Sequence, residues 1–425
     1  MKTWIALPCL LAALAAVASP DAAAQDEGAF KVSGSAEIWA YGTGLERIGN
    51  SRLNPDNRVA RLPGLQWTGE SRINFRLRSE GAEIVLRPRL LRQHATGNGV
   101  GADVGDAYLS QGFARVRLND ALTLTGGREL LTWGPANFRS PSNPLYFDAG
   151  RSNPLRDVSG VDLMRLTYTQ GPVSLMLARV QSAGHLSSAS TPQHTTLGKV
   201  DVRGEDMLLS ALIATPVYGA PFVGGFGQAT LGDAWLVYGE IGSGRRPQAL
   251  TVNAAPFGAP FSAQSPAPRQ TTALLGASYT RINGQSISLE WLRDGHGYTR
   301  QEEADYFARA AITANQYLAA PNSPFAPSQL SGLGQGIGQA PALLGRDYAS
   351  LLWQSNPQES DLYWRLMWTA NVHDRSSQAS LYAEKNLSPR FSAFLALTRN
   401  LGGVETDYGS LIRTSLTLGI KCFAF

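Results

Sequence analysis

The sequence predicts an all-β chain, a transmembrane antiparallel β-barrel of about 16 strands, roughly 14–18 by spacing. Three observations predict it. Strand-length segments alternate apolar and polar residues, their connections sort by length, and the N-terminus reads as an export signal.

The leader comes first. Lys2 precedes an apolar run from Trp4 to Val17, and Ala22-Ala23-Ala24 offers small residues at a cleavage site before Gln25. The run is too short to span a bilayer as a helix. Cys9 lies inside it, which argues against a lipoprotein. Residues 1–24 are therefore the expected signal peptide and 25–425 one barrel domain. Cleavage removes Lys2 and Asp21, so the net charge stays at +4. Cys422 alone remains, so no intrachain disulfide is possible. Of 37 basic residues all but five are arginine, and they form no long block. Nucleic acid is not an expected partner. Five scattered histidines leave little metal chemistry, and no cofactor is expected.

Strands are expected near 30–42, 68–79, 82–93, 107–118, 121–132, 161–169, 172–181, 205–215, 232–243, 270–280, 285–296, 346–355, 359–370, 377–386, 391–400 and 409–425. The uncharged run 207–232 is broken by Pro216, Gly219, Pro221, Gly224 and Gly225 and reads as strand, turn, strand. Short connections fall at Glu80-Gly81, 119–121, Gln170-Gly171, 281–284, 356–358 and Ser388-Pro389. Long ones fall at 43–66, 94–106, 133–160, 182–204, 244–269 and 297–345. The 215–231 connection leaves room for a hidden strand. Short periplasmic turns on one rim and long extracellular loops on the other are the outer-membrane arrangement.

The first hairpin tests the register. A two-residue turn at 80–81 sets Leu77 against Ile84 and Phe75 against Leu86. It sets Arg78 against Glu83, Asn74 against Arg87 and Arg72 against Arg89. The apolar side meets lipid and the arginine side meets water. The reverse costs about 2–4 kcal/mol per arginine near the midplane. A three-residue turn at 119–121 likewise pairs Val116 with Leu124, and Arg115 with Thr125. Arg72, Arg76, Arg78, Arg87, Arg89, Arg115 and Arg117 are the expected pore-lining residues. Further on, Leu362, Trp364, Leu366 and Trp368 share one side. Tryptophan and tyrosine near strand ends suit interfacial girdles. Phe425 resembles the terminal aromatic of outer-membrane barrels. Leu416, Leu418 and Ile420 lie on the opposite phase, so a bulge near Cys422 is expected to restore it.

The segment 126–165, "GGRELLTWGPANFRSPSNPLYFDAGRSNPLRDVSGVDLMR", carries Trp133-Gly134-Pro135 and the pairs Asn143-Pro144 and Asn153-Pro154. It resembles a pattern in porin-like outer-membrane proteins of Gram-negative bacteria. The resemblance implies the fold and the outer-membrane location, and it brings no catalytic residues. Arg139, Arg151 and Arg156 are expected in a surface-facing loop at the pore mouth. In the 297–345 loop, Phe307, Ala311, Ala314 and Leu318 recur at helical spacing. The Gly, Pro, Gln and Ser-rich remainder, 321–345, reads as a mobile stretch.

The expected function is a porin: passive diffusion of small hydrophilic solutes, preferentially anionic. One rival is a plugged barrel that binds, assembles or exports surface polysaccharide. The other is a barrel lipid hydrolase, for which His373-Asp374 and Ser376-Ser377 form the one polar cluster. The expected partners are outer-membrane lipid, lipopolysaccharide, small solutes and the barrel-assembly machinery, with an oligomer possible.

Overall fold

The computed structural model describes residues 30–97, 102–183, 189, 194–246, 248–253 and 258–424. The leader and Phe425 lie outside the described residues. The strands are β1 (Lys31–Arg47), β2 (Leu65–Arg78), β3 (Ala82–Thr96), β4 (Ala102–Arg117), β5 (Leu122–Glu129), β6 (Val161–Gln170) and β7 (Val173–Ser182). Next come β8 (Thr195–Arg203), β9 (Met207–Pro216), β10 (Phe222–Leu231), β11 (Trp235–Arg245), β12 (Ala249–Val252), β13 (Phe261–Gln264) and β14 (Arg269–Thr280). The last are β15 (Ser286–Asp294), β16 (Asp347–Gln354), β17 (Leu362–Asn371), β18 (Ser377–Ser388), β19 (Phe391–Leu401) and β20 (Ile412–Phe423).

Eighteen strands form one antiparallel sheet in which each pairs with its neighbours in the chain, and β1 pairs with both β2 and β20. The sheet is therefore closed. Strands β12 and β13 form a separate hairpin in the connection from β11 to β14. The expected 16 falls short by β8 and β10. Strand β8 gives a weak alternation because its outward side holds little besides Val200 and Val202, between inward Lys199 and Asp201. Strand β10 carries Gly224, Gly225 and Gly227, which read as breaks. The 94–106 connection is shorter than expected, since β3 and β4 extend to Thr96 and from Ala102.

Both tested hairpins take the expected register. Leu77 pairs with Ile84, Arg78 with Glu83 and Arg72 with Arg89, while Val116 pairs with Leu124. Exposure settles the faces: Ile84 and Leu86 are 38% and 41% exposed, whereas Arg89 is 4% exposed. The apolar side points outward, away from the lumen. Leu416, Leu418 and Ile420 also point out. No bulge occurs near Cys422, because β20 pairs regularly with β1 through Phe423. Phe423 consequently shares the inward phase of Lys421.

The long connections build a lid on one rim. Helix α1 (Arg300–Ala319) opens on a capping box of Thr299 and Glu302, and α2 (Ala326–Gln339) follows. Tyr306, Phe307, Leu333 and Phe261 pack with Leu250 and with Leu53 of the β1–β2 connection. The buried stripe runs through Glu303, Tyr306, Phe307, Ala310, Thr313, Ala314 and Tyr317. Phe307 and Ala314 were expected there, but Leu318 is exposed. The stretch 321–345 is not a loose tail. Gly332 and Gly336 are buried in α2, where a Cβ would strike Pro260 and Phe261 at 2.4 and 2.6 Å. These glycines let α2 lie flat on the hairpin.

Closure can be checked with the native cysteine. Ile38 and Cys422 are partners on β1 and β20. Antiparallel partners sit about 4.5–5.5 Å apart, within disulfide range. Ile38→Cys is expected to give, on oxidation, an internally crosslinked chain with altered mobility in a denaturing gel. Absence of that species in folded protein would contradict the closing register.

Candidate functional site

The segment between β5 and β6, residues 130–160, leaves from the lid rim but folds inward and crosses the lumen. This corrects the surface-facing reading. Two strand carboxylates hold its outgoing leg. Glu240 of β11 accepts the Ala136 and Ser142 N–H groups at 3.0 and 3.3 Å, and the Ser140 and Ser142 hydroxyls at 2.7 Å each. Glu290 of β15 accepts the Asn137 and Phe138 N–H groups at 2.6 and 2.8 Å and the Tyr238 hydroxyl at 2.7 Å. Both glutamates are buried. Loop backbone that leaves the sheet must find acceptors inside the barrel, and these carboxylates supply them.

The wall is shaped to receive the loop. A Cβ at Gly242 would lie 1.9 Å from the Pro141 carbonyl. Gly134 has φ +78°, and its Cβ would meet Glu240 at 2.3 Å. The two Asn-Pro pairs are turns. The Asn143 side chain accepts from the Leu145 and Tyr146 N–H groups, and Asn153 accepts from Leu155 N–H. Leu145 and Tyr146 then pack on Val161, Leu163, Ala178, Val180 and Leu197.

The returning leg meets the arginines. The Leu155 carbonyl accepts from Arg72 at 2.8 Å, and Asp157 pairs with Arg89 at 2.9 Å. Arg72 also grips Glu70 through two 2.9 Å bonds and lies over Trp39, 3.8 Å from the ring centre. Arg89 donates to the Ile73 carbonyl, which faces Pro88, a residue with no N–H to offer. Arg115 bridges Glu83 and Glu129, Arg76 pairs with Glu83, and Arg165 pairs with Glu129. Arg78, Arg87 and Arg117 have no counter-ion among the described residues. Arg87 lines one cavity with Arg76, Arg89 and Asp157.

The three loop arginines are braces within the loop rather than a ring at its mouth. Arg151 donates to the Gly134 and Ala136 carbonyls, Arg156 pairs with Asp148 at 2.7 Å, and Arg139 donates to the Phe138 carbonyl. On the short-turn side of the loop lies a polar cavity of about 800 Å³. Arg72, Arg76, Arg87, Arg89 and Lys421 line it against Glu37, Asp157 and Glu384, five cations to three anions. Sequence reading missed Glu240, Glu290, Glu384 and Lys421. The available signal was a lone charge on the inward phase of a largely apolar strand.

His373 and Ser376 do not come together. His373 lies 2.9 Å from Asp347, and the buried Ser376 hydroxyl accepts from Tyr408 N–H. Asp374 instead joins a buried acidic junction beneath the lid. Glu303 of α1 accepts from Asn371 at 3.1 Å, Asp374 accepts the Asp407 N–H, and Asp407 accepts the Tyr348 hydroxyl. Burial, then Asp374 and Asp407, push Glu303 up to about 9. Burial and Asp374 push Asp407 up to about 6, against the opposing pull of the hydrogen bond from the Tyr348 hydroxyl.

No protein-family model and no curated protein matches the chain. Solved structures do. Pseudomonas aeruginosa OccK11 (OpdR) aligns with a TM-score of 0.52 at 13% identity, covering 93% of this chain and 96% of that one. Pseudomonas aeruginosa OprD aligns at 0.51 and 11% identity, over 95% and 100%. Both are outer-membrane porins, and this chain has the same barrel fold.

Two outcomes follow. Glu240→Ala strands four loop donors, each worth about 1–3 kcal/mol when buried unmade. Single-channel current through the variant is expected to flicker, and protease to reach the loop. A quiet, protected variant would remove Glu240 as the anchor. The second concerns pH. Glu303 and Asp407 hold protons more tightly in the docked lid than when free, so docking is strongest at low pH. It weakens as pH rises from about 4 through 6 to about 9. The protection factor of the α1 amides, exchange corrected for its intrinsic rise with pH, is expected to fall across that window, and Glu303→Gln to flatten the response. A pH-independent wild type would contradict it.

Proposed function

We propose that the chain is an outer-membrane channel through which small hydrophilic solutes, preferentially anions, diffuse passively. The carrying observation is the inward segment 130–160, which narrows the barrel directly beside a cavity with a cationic surplus. The proposed anatomy keeps residues 1–24 as signal peptide and 25–425 as barrel, with Arg72, Arg76, Arg78, Arg87, Arg89, Arg115 and Arg117 along the water-filled wall. Their parts differ. Arg72 and Arg89 hold the returning leg of the loop, while Arg87 lacks a counter-ion and contributes most of its charge to the lumen. A solute passes if it fits beside the loop and tolerates that field. Screening limits the effect to about 8 Å at 0.15 M salt, so narrowing by the loop is what lets the wall be felt. No catalytic residue, cofactor or energy source enters this reading.

One observation favours a second reading, the plugged barrel for surface polysaccharide. The loop reaches β2, β3, β11 and β15, its Leu155 packs near Trp39, Tyr382 and Phe394, and a lid with its own apolar core stands above. Conductance in planar bilayers separates the two, since a plugged barrel passes no steady current. For the channel, Arg87→Ser is expected to move the reversal potential in a salt gradient toward cation permeability, less so at high salt. Arg72→Ser with Arg89→Ser is expected to release the loop as well, raising conductance. An unchanged reversal potential in a conducting Arg87→Ser protein would remove the basic wall from the mechanism.

A further inference from the structure

On the lipid-facing side, three arginines gather at the lid-rim ends of β11, β14 and β15. Arg245 and Arg269 are direct cross-strand partners. Arg293 pairs with Ala273, four residues down β14 from Arg269. Alternation places all three outward. Arg245 continues the phase of exposed Ile241, Arg269 that of exposed Leu275, and Arg293 that of exposed Trp291. Like charges directly opposite destabilise a strand pair, and no carboxylate lies between these two. Arg269 is held by neutral oxygens, the Ser243 carbonyl and hydroxyl and the Pro221 carbonyl. Arg245 has no partner among the described residues. Arg293 has one, Asp347 at 3.3 Å, and its side chain remains 64% exposed.

Below this patch the outer surface is hollowed. A groove of about 630 Å³ runs across β8–β14, bounded by Val202, Leu209, Ile241 and Leu275 and floored where Gly225, Gly227 and Gly239 carry no side chain. The groove begins about four residues below Arg245 and Arg269, some 13 Å along the strand. A phosphate head on the arginines would therefore set its own acyl chains at the groove.

We infer that this outer face, Arg245 and Arg269 above the groove and Arg293 beside its upper edge, is a binding site for a phosphorylated anionic membrane lipid. The phosphate offsets the repulsion between Arg245 and Arg269, and the hydrocarbon fills a recess that water cannot usefully occupy in the bilayer. The site does not depend on what crosses the lumen, so it stands or falls apart from the channel reading.

The test is native mass spectrometry of the full-length folded barrel in detergent with added lipid A, and with dephosphorylated lipid A carrying the same chains. Wild type is expected to retain the phosphorylated form selectively. Arg245→Ser with Arg269→Ser should cut that retention by at least about tenfold, with heat-modifiable gel mobility confirming the fold. Arg245→Ser alone gives a milder loss if the double variant folds poorly. Lys385→Ser, on the outward face at the opposite rim, should change nothing. Equal retention of both lipids by wild type, unchanged retention in the arginine variants, or the same loss in Lys385→Ser would overturn the site.

Discussion

Everything in this molecule follows from the hydrogen-bonded seam between β1 and β20. An unsatisfied backbone group in hydrocarbon costs several kcal/mol, so a membrane sheet of this kind must have no edge. Closure makes every strand a central strand with one face in lipid and one in the lumen. With a side-chain period of two, the first hairpin then commits the arginine phase to the inside for the whole circumference. The charges, the inward loop and the outer arginines are consequences of that one assignment.

The inside of the barrel is where polar cost has to be settled locally. Segment 130–160 gives up sheet pairing and exposes its own N–H groups. Glu240 and Glu290 reclaim four of them, at Ala136, Asn137, Phe138 and Ser142, and Arg72 donates to one of the carbonyls on the return. Arg89 repairs the defect that Pro88 leaves in the β2–β3 ladder. These charges are expensive to bury singly and stabilising when matched to several hydrogen bonds. The lumenal arginines are thus posts first, and only the unmatched remainder can form a field.

The fold was legible because its signal is cumulative. Alternation, loop sorting and a leader point the same way in many segments, and the expected register of the first hairpin holds on both sides of Pro88, from Arg72–Arg89 to Arg78–Glu83. What failed to read was governed by long-range contact. Gly224 and Gly225 look like strand breakers, yet they lie in β10, where a Cβ at Gly224 would sit 3.1 Å from the Ser142 carbonyl. The glycines of 332–338 look like a loose linker until Pro260 and Phe261 are in place above them. The Asn-Pro pairs announced a structured loop but not its direction, because the carboxylates that draw it inward, Glu240 and Glu290, lie on strands about 90 to 150 residues further along the chain. Nothing in the sequence says that Lys421 pairs with Glu384, 37 residues before it.

Anchoring and selectivity need not compete for the same arginines. A cation that is fully matched, such as Arg89, is fixed in place and electrically quiet. A cation beside it with no ion pair among the described residues, such as Arg87, shares one cavity with Arg76, Arg89 and Asp157. A mobile arginine on a soft wall would collapse onto the nearest carboxylate and lose its field. The ion pairs around Arg87 use up most of those carboxylates: Asp157 on Arg89, Glu83 on Arg76 and Arg115, Glu70 on Arg72. The matched pairs are thus the condition under which a single unmatched charge can face the lumen, and anion preference would be a product of the anchoring network rather than an addition to it.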